Sequence, residues 1–374
     1  MEENLLKTPL YKKIADDIKQ MIIEGKLKPN DKLPTEIELA QQYNVSRITS
    51  KQALELLKKE GFIYRKKKQG SYVSPDLFLS NDNNKIADNS RNKIVSLIIP
   101  FSSNTGRNID YIKGASDFLH SKGYYLSIHC TDGLVEKEKE YLNLLPYNGS
   151  SGIIYYPVFD IETYDAVYNL YLNQYPIVTI DKYIEGIPIS YVVSDNFNGA
   201  YEATKYLISL GHKNIAFIST THIGFATSIK NRFFGYRKAL FDYNIYYNNK
   251  FVIQNYDLPR VNIDEKTEII KDLVNQGVTA FITEFDYVAI EIIRLLRAIN
   301  INIPNDVSVI GFDNIEILEH LETPLTTVDQ NFYNIGWKAA EFIYKCIEKG
   351  KYKFEKYIEP TSLVIRESTN TLEK

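Results

Sequence analysis

The chain has 374 residues, 44% of them hydrophobic and 24% charged, a composition that excludes a long disordered chain and is typical of two or three folded domains. The formal net charge of −3 hides an uneven distribution, because residues 1–75 carry 15 Lys and Arg against 10 Asp and Glu, whereas the rest carries 29 against 37. A basic N-terminal part on an acidic body indicates that one domain meets a polyanion and the other does not.

The sequence also indicates where the protein works. Its two cysteines, Cys130 and Cys346, lie far apart in apolar segments, which argues against a disulfide framework or a metal site and favours a reducing compartment. The N-terminus is acidic and lacks the apolar stretch of a secretory signal, and no apolar run reaches the roughly 18 residues of a membrane span. We therefore expect a cytoplasmic protein without membrane contact.

Three helices are predicted near the N-terminus. Residues 9–25 place apolar side chains on one helical face. Thr35 and Glu38 form the capping box of a second helix, which Asn44 ends, and Ser46 caps a third. The first turn of that third helix carries Arg47, Thr49, Ser50 and Lys51. Short polar donors and a guanidinium at the start of the second helix of a helix-turn-helix are what base edges and phosphates require.

A basic hairpin follows these helices. Residues 62–64 and 71–73 predict two short strands around a tip at 65–70. The four consecutive cations of the tip would repel one another without an anionic partner, and Gly70 lets the backbone approach a groove closely. A lysine run is usually solvated surface, but beside a helix-turn-helix it indicates a wing that touches DNA.

The motifs LPTEIELAQQYNVSRITSKQAL, LKKEGFI and KQGSYV follow one another at a specific spacing. On these motifs, residues 9–75 resemble the winged helix-turn-helix of GntR-type transcription regulators. The resemblance implies a DNA-binding domain over residues 1–75, here called the head. Its implied DNA contacts are Thr35, Glu36, Ser46, Arg47, Thr49, Ser50, Lys51, Lys66, Lys67, Lys68, Gln69 and Gly70. Lys51 replaces a usual arginine and Lys68 the first wing glycine, so we expect altered base and minor-groove contacts at both positions.

Residues 76–91 are rich in Asn, Asp and Ser and predict a linker. From residue 92 onward, strand and helix patterns alternate, which predicts a doubly wound α/β domain with parallel sheets in two lobes. The predicted strands are 94–99, 124–129, 152–156, 177–181, 215–219, 279–283 and 307–312. The predicted helices are 109–121, 160–173, 197–210, 230–242, 264–276, 287–299 and 331–348.

Polar side chains follow several of these strands, and ligands of doubly wound sheets bind beyond the carboxyl ends of the strands. The candidate ligand-binding residues are Ser103, Asn104, Asp181, Arg232, Asp286 and Asp313. Acids accept hydrogen bonds from sugar hydroxyls and arginine donates to vicinal oxygens, so the set suits a polyhydroxylated ligand. Each residue taken alone is more often a helix cap or a solvated loop group.

Signals for catalysis are weak. The sequence contains no GxSxG, GxxxxGK[ST], HExxH or GxGxxG motif, and His212, after a predicted helix, fits a structural role. We therefore predict no catalytic residue, no cofactor and no metal. The alternatives from other classes are a sugar or nucleotide dehydrogenase with a DNA-binding head and a solute-binding protein, which the wing disfavours.

The stretches PIVTIDK, NRFFGYRKAL, IPNDVSVIGFDN and TPLTTVDQNFYNIGWKAAEFI occur in a fixed order. On these stretches, residues 92–370 resemble the effector-binding core of the LacI/GalR regulators. The resemblance implies ligand contacts for Arg232, Asp313 and Asp286, and Phe285 replaces a usual asparagine in the pocket wall. It implies an effector-binding and dimerisation domain over 92–374. The implied lobes are 92–193 with 323–355 and 194–322 with 356–374.

A GntR-type head on a LacI/GalR-type core resembles the arabinose-responsive repressors of Gram-positive bacteria. The pairing implies a homodimeric repressor that binds double-stranded operator DNA and is released by a small sugar, with L-arabinose the leading candidate. A regulator of the same fold that responds to another sugar, a phosphosugar or a purine is the alternative.

Overall fold

The computed structural model describes residues 9–23, 26–28, 30–59, 62–66, 69–74, 93–100, 108–158, 162–256, 262–350 and 352–372. The chain divides into two compact units, Met1–Asp88 and Asn89–Lys374.

The N-terminal unit contains three helices and a hairpin. They are α1 (Leu10–Ile23), α2 (Glu36–Gln42), α3 (Arg47–Lys59), β1 (Ile63–Lys66) and β2 (Gly70–Val73). The predicted capping box is confirmed, since the Glu38 amide donates to the Thr35 side chain and the Glu38 carboxylate accepts from the Thr35 amide. Asn44 adopts the predicted left-handed conformation, with φ 50°. Ile14, Leu39 and Leu54 belong to the apolar core that joins the helices to the hairpin.

The first lobe of the C-terminal unit is built on a parallel sheet. Its elements, in chain order, are β3 (Ile94–Ile99), α4 (Asn108–Ser121), β4 (Tyr125–Cys130), α5 (Val135–Leu144), β5 (Gly152–Tyr155), α6 (Tyr164–Leu172), β6 (Ile177–Ile180) and β7 (Ser190–Ser194). With a late strand, β13 (Lys356–Glu359), the sheet has the order β13-β7-β6-β5-β3-β4. Every pair is parallel, and the inner strands are buried, as strands covered on both faces require.

The second lobe repeats this plan with four parallel strands. Its elements are α7 (Asn196–Ser209), β8 (Ile215–Ile218), α8 (Thr227–Asp242), β9 (Val252–Ile253), α9 (Ile263–Asn275), β10 (Ala280–Thr283), α10 (Asp286–Ala298) and β11 (Ser308–Ile310). The sheet order is β11-β10-β8-β9, with parallel pairing throughout. The predicted doubly wound, two-lobed architecture is confirmed.

In the described parts of the C-terminal unit, three chain segments cross between the lobes. The first leads from β7 into α7. The second leads from β12 (Thr327–Asp329) into α11 (Phe332–Lys349), which packs on the first sheet, and the third leads from β13 to β14 (Ser362–Val364), which pairs with β12. The predicted lobe bounds were wrong at two places. Residues 325–329, assigned to the first lobe, pack in the second, where Thr326 and Asp329 bridge to Ile310 and Asp313. Residues 356–359 were assigned to the second lobe. They pair with β7 in the first sheet, so the third crossing begins after Glu359.

In each lobe, two helices approach each other closely at positions occupied by glycine. In the first lobe a Cβ on Gly114 or Gly336 would overlap with the backbone of the facing helix, at Tyr333 or Tyr111. In the second lobe a Cβ on Gly235 would overlap with the carbonyl of Phe197. The absence of a side chain at these positions therefore sets how closely α4 approaches α11 and α7 approaches α8.

Candidate functional site

A cavity of about 240 Å³ lies where the carboxyl ends of the two sheets face each other. Both lobes contribute to it, as expected for ligand sites of doubly wound sheets. The lining residues are Asn108, Tyr111, Tyr156, Asp181, Lys182, Thr220, Thr221, Ser228, Ile229, Arg232, Glu284, Phe285, Asp313 and Phe332. The structure thus brings the predicted Asp181, Arg232 and Asp313 together around one cavity. Ser103 and Asn104 lie outside the described residues.

Arg232, on the second turn of α8, is the buried cation of this cavity. Its Nε donates to Asn196 Oδ1 at 2.7 Å, and its Nη1 donates to the backbone carbonyl of Glu284. Its guanidinium lies 3.8 Å from the centre of the Phe312 ring, and Nη2 is 3.8 Å from Asp313 Oδ1. These contacts fix the plane of the guanidinium, but they do not use all of its five N–H groups. Arg232 can therefore donate to a ligand with little further loss of side-chain entropy.

Asp313 is presented by the loop that follows β11. Its φ of 119° and the φ of 56° at Asn314 are conformations that cost energy outside glycine and occur at ligand sites. The Gln330 amide donates to Asp313 Oδ1, and the Asp313 amide donates to the Val328 carbonyl at 2.8 Å. Burial raises the pKa of Asp313 well above its ordinary value, and the Arg232 guanidinium opposes that rise.

The first lobe contributes Asp181, which follows β6 with φ 68°. The Tyr111 hydroxyl donates to Asp181 Oδ1 at 3.4 Å, and Tyr156 hydrogen-bonds to the same carboxylate. Burial, followed by the neighbouring Asp181 charge, raises the pKa of both tyrosines well above the usual value. Both hydroxyls therefore stay protonated at neutral pH.

Glu284 and Phe285 form the wall that follows β10. Glu284 is buried, and its carboxylate accepts from the Ser219 hydroxyl at 2.6 Å and from the Thr220 amide at 2.8 Å. Burial raises the pKa of Glu284, while these hydrogen bonds act in the opposite direction. Phe285 lines the cavity and also packs against the apolar core beside β10. An aromatic ring thus occupies the position where the family pattern has an amide.

The prediction that Asp286 contacts ligand is wrong. The residue is fully buried behind the cavity wall, where Oδ1 accepts from the Thr327 hydroxyl at 2.5 Å and Oδ2 accepts from the Ile315 amide at 3.0 Å. The Asn314 amide also hydrogen-bonds to this carboxylate. Buried and bonded to these three donors, Asp286 holds the loop that presents Asp313 rather than facing a ligand.

Several lining residues were not among the predicted candidates. Tyr156 directly follows β5, so the strand-end argument applied to that strand would have found it. Asn108, Tyr111 and Phe332 lie in the first turns of α4 and α11, which begin at the same edge as the carboxyl ends of the strands. For Asn108 and Tyr111 the available signal was a helix start after a predicted strand, whereas Phe332 follows β12, which was not predicted.

The N-terminal unit exposes the start of α3 beside the hairpin. Arg47 Nε lies 3.4 Å from Glu36 Oε2, and Arg65 Nη2 lies 3.5 Å from Glu36 Oε1. Glu36 therefore joins α2, the start of α3 and the hairpin, and it partly neutralises two of the exposed cations. Ile48, which was not predicted to take part, is 70% exposed beside Arg47.

The prediction that Ser50 contacts DNA is wrong. Its side chain is fully buried, and the hydroxyl donates to the Glu36 carbonyl at 2.6 Å, which fastens α3 to α2. Ser46 and Thr49 are accessible, although their hydroxyls already bond to each other at 2.9 Å. Lys51 is exposed beside Glu55, and Thr35 is the exposed cap of α2.

At the hairpin tip, Lys66 bends back over two aromatic rings. Its Nζ lies 5.6 Å from the centre of the Tyr64 ring and 5.0 Å from that of Tyr72. Gln69 and Gly70 are exposed, and Gly70 has φ 115°, a conformation that favours glycine. Lys67 and Lys68 lie outside the described residues.

Within the described ranges, no group of His, Cys, Asp and Glu side chains is arranged to hold a metal ion. Among the same residues, none of the helices combines the length and the apolar character needed to cross a bilayer.

Comparison with known proteins identifies both parts of the chain. Residues 10–73 match the family of bacterial regulatory proteins of the gntR type, and residues 204–369 match the periplasmic binding protein-like domain. The transcriptional regulator DegA of Bacillus subtilis is 33% identical over 289 residues, which cover 75% of this chain and 82% of that protein. The chain belongs to the LacI/GalR-type transcription regulators and carries a GntR-type head.

Two further relatives bear on this regulator. The arabinose metabolism transcriptional repressor of Geobacillus stearothermophilus is 28% identical over 388 residues, covering 100% of both chains. A LacI family transcriptional regulator from Enterococcus faecium, solved with bound ribose, is 26% identical with a TM-score of 0.62, covering 75% of this chain and all of that one. These relatives are regulators, so the enzyme alternative does not hold for this chain.

Proposed function

We propose that this regulator is a homodimeric repressor that leaves its operator when a small neutral sugar, L-arabinose first among the candidates, binds between the lobes. The observation that carries the proposal is the cavity in which Arg232 of one lobe faces Asp181 of the other, in a chain with a DNA-binding head. The full-length likeness to an arabinose repressor supports L-arabinose.

The charges of the cavity favour a neutral ligand over a phosphosugar. Its lining includes the acids Asp181, Glu284 and Asp313 against the cations Arg232 and Lys182. A phosphate would face three carboxyl groups and only two cations, whereas sugar hydroxyls donate to carboxylates and accept from a guanidinium. A cavity of about 240 Å³ lies below the roughly 300 Å³ of the smallest drug-sized sites, so it suits a monosaccharide.

We propose three functional segments: a DNA-binding head over residues 1–75, a linker over 76–91 and an effector-binding and dimerisation domain over 92–374. In the head, Arg47, Thr49 and Lys51 enter the major groove of a pseudo-palindromic operator. Residues 66–70 touch the minor groove or the backbone. The accessible Thr35, Glu36 and Ser46 approach the same duplex.

The head is tested by titrating the full chain with duplex from its own upstream region at several salt concentrations. Arg47→Ala is expected to lose about 1–3 kcal/mol of operator affinity if it reads a base. Lys67→Ala, which would remove a backbone contact, should weaken all sequences alike and lower the salt slope by about one. Operator binding that does not depend on salt would contradict this role of the head.

The effector is tested by calorimetry of the full chain with a panel that contains L-arabinose, D-ribose, a pentose phosphate and a purine. Heat with L-arabinose and none with the phosphate or the purine is expected. Heat with another sugar alone would replace L-arabinose but keep the class of ligand. If no pentose or hexose binds, the sugar-binding proposal fails.

A further inference from the structure

Two side chains of the second lobe that line the cavity are linked by hydrogen bonds to the first segment that crosses between the lobes, Arg232 directly and Asp313 through Gln330. That segment leaves the first sheet at Ser194, the last residue of β7, and enters α7 at Asn196. Both residues are buried. Any change in the angle between the lobes must pass through this segment and the two others.

Arg232 is joined to this segment directly. Its Nε donates to Asn196 Oδ1 at 2.7 Å, and Asn196 Nδ2 donates to the Ser194 carbonyl at 3.1 Å. Because Nε is bonded to Asn196, a shift of Arg232 towards a ligand moves the first residues of α7 or breaks a charge-assisted hydrogen bond.

Asp313 is joined to the same segment through Gln330. The Gln330 amide nitrogen donates to Asp313 Oδ1, and the Gln330 amide oxygen accepts from the Ser194 hydroxyl at 2.6 Å. Gln330 lies just after β12, in the second crossing segment, and is 2% exposed. One side chain thus connects a pocket carboxylate to two of the three crossing segments.

We infer that Ser194, Asn196 and Gln330 form a relay that transmits occupancy of the pocket to the angle between the lobes. The inference rests on the proposed function and adds its route of regulation. A sugar hydroxyl that donates to Asp313 competes with the Gln330 amide, and a sugar oxygen that accepts from Arg232 pulls on Asn196. Each of these contacts differs between the empty and the occupied pocket. A ligand shifts the equilibrium between two lobe angles only if it interacts differently with the two states.

A second amide contact in the crossing region provides a matched control. Asn334 Nδ2 donates to Glu359 Oε2 at 2.6 Å, and Asn331 Nδ2 donates to Glu359 Oε1 at 2.7 Å. This pair fastens the second crossing segment to the third without a bond to Arg232 or Asp313 in the described contacts. Asn334→Ala therefore removes a crossing-region hydrogen bond outside the relay.

The experiment measures operator affinity of the full chain with and without saturating L-arabinose, and L-arabinose affinity by calorimetry. Ser194→Ala removes one hydroxyl that lines no part of the cavity. It is expected to bind L-arabinose within about threefold of the wild type while losing most of the sugar-induced change in operator affinity, a factor that is typically about 5- to 150-fold. Gln330→Met, which keeps the shape but not the hydrogen bonds, should lose that factor too.

Asn334→Ala should keep the wild-type change in operator affinity on addition of L-arabinose. The relay is overturned if Ser194→Ala and Gln330→Met fold and keep it as well, or if Asn334→Ala loses it equally. A wild-type protein that binds operator but neither binds nor responds to any sugar would instead contradict the proposed function, and the relay with it. The two failures are thus told apart by the wild type alone.

Discussion

At the scale of the residue, Arg232 is the side chain on which effector binding is expected to depend most. Hydrogen bonds to a charged donor are worth about 1.5–3 kcal/mol each, so Arg232→Ala should weaken L-arabinose binding by roughly tenfold to a hundredfold or more. Operator affinity should stay near that of the wild type, giving a repressor that no longer responds to the sugar. Calorimetry and operator titration measure the two effects.

The matched control for this change is Lys238→Ala. Lys238 lies further along the same helix and is half exposed beside Asp242, where an ion pair contributes little. It should leave both affinities unchanged. Wild-type affinity for L-arabinose in Arg232→Ala would remove the arginine from the site.

Asp313 offers a graded test of the same pocket. Asp313→Asn keeps the shape and one acceptor oxygen, whereas Asp313→Ala removes both, so the asparagine variant should lose less L-arabinose affinity. A competition series of both variants against the wild type measures the order. Equal losses would mean that the negative charge, rather than the acceptor position, is what the sugar needs.

His212 makes stability depend on pH. Its ring nitrogens face the Thr279 hydroxyl at 2.9 Å, the Ser308 hydroxyl at 3.0 Å and the Asn370 carbonyl at 3.1 Å. Burial lowers the pKa of His212 below its ordinary value of about 6.5, and the hydrogen bond with the Asn370 carbonyl opposes this decrease. The unfolded chain therefore takes up a proton first as the pH falls below about 6.5, and the native state loses stability there, by up to about 1.4 kcal/mol per pH unit.

His212→Gln should flatten this dependence, because glutamine keeps a donor and an acceptor but does not titrate. Denaturant unfolding of both proteins between pH 7.5 and 5.0 checks the expectation. If the free energy of unfolding changes with pH in the same way for the wild type and His212→Gln, the expectation is contradicted.

Residue types in a motif predicted the members of the pocket better than they predicted the direction each side chain faces. Arg232, Asp181 and Asp313 line the cavity as expected, but Asp286 turns behind it. The Ser50 side chain similarly points into the core of the N-terminal unit and bonds to the Glu36 carbonyl. A carboxylate or hydroxyl can serve a ligand or a backbone amide, and only the neighbouring backbone decides between them.

At the scale of the element, the contact between α4 and α11 is the most sensitive to a single methyl group. Alanine usually stabilises a helix relative to glycine by about 0.5–1 kcal/mol. In Gly336→Ala the new Cβ would overlap with the Tyr111 carbonyl, so overpacking should reverse the sign and destabilise the unit by about 1–3 kcal/mol.

Because Tyr111 also lines the cavity, Gly336→Ala should weaken L-arabinose binding as well. Denaturant unfolding and calorimetry check the two effects. If Gly336→Ala unfolds at the same denaturant concentration as the wild type or a higher one, α4 and α11 can move apart without a loss of stability.

Long apolar strands and amphipathic helices were predictable, and short crossing elements were not. The seven predicted strands correspond to β3, β4, β5, β6, β8, β10 and β11. The strands β7, β9, β12, β13 and β14 were missed, because polar residues within or beside each of them leave only a short apolar run. Helix α5 was missed because charged residues fill most of its first two turns.

At the scale of the whole molecule, the proposed function requires a reciprocal effect. If L-arabinose lowers operator affinity by some factor, operator must lower L-arabinose affinity by the same factor, because both describe one thermodynamic cycle. Calorimetry with L-arabinose in the presence and absence of saturating operator measures it. If L-arabinose releases the operator but binds with equal affinity in its presence and absence, the two ligands do not act on the same dimer, and the proposed mechanism fails.

The order in which the lobes are completed has a consequence for synthesis. The first sheet needs β13 and the helix α11, both encoded after the four-stranded sheet of the second lobe, and the Tyr124 hydroxyl donates to Glu348, a partner 224 positions away. At about 5–20 residues per second, a ribosome makes the first lobe's early strands on the order of ten seconds before their partners emerge. The N-terminal unit, complete much earlier, has no such delay. We expect a chain stalled near residue 330 to protect only the N-terminal unit from protease and to depend on chaperones for the rest.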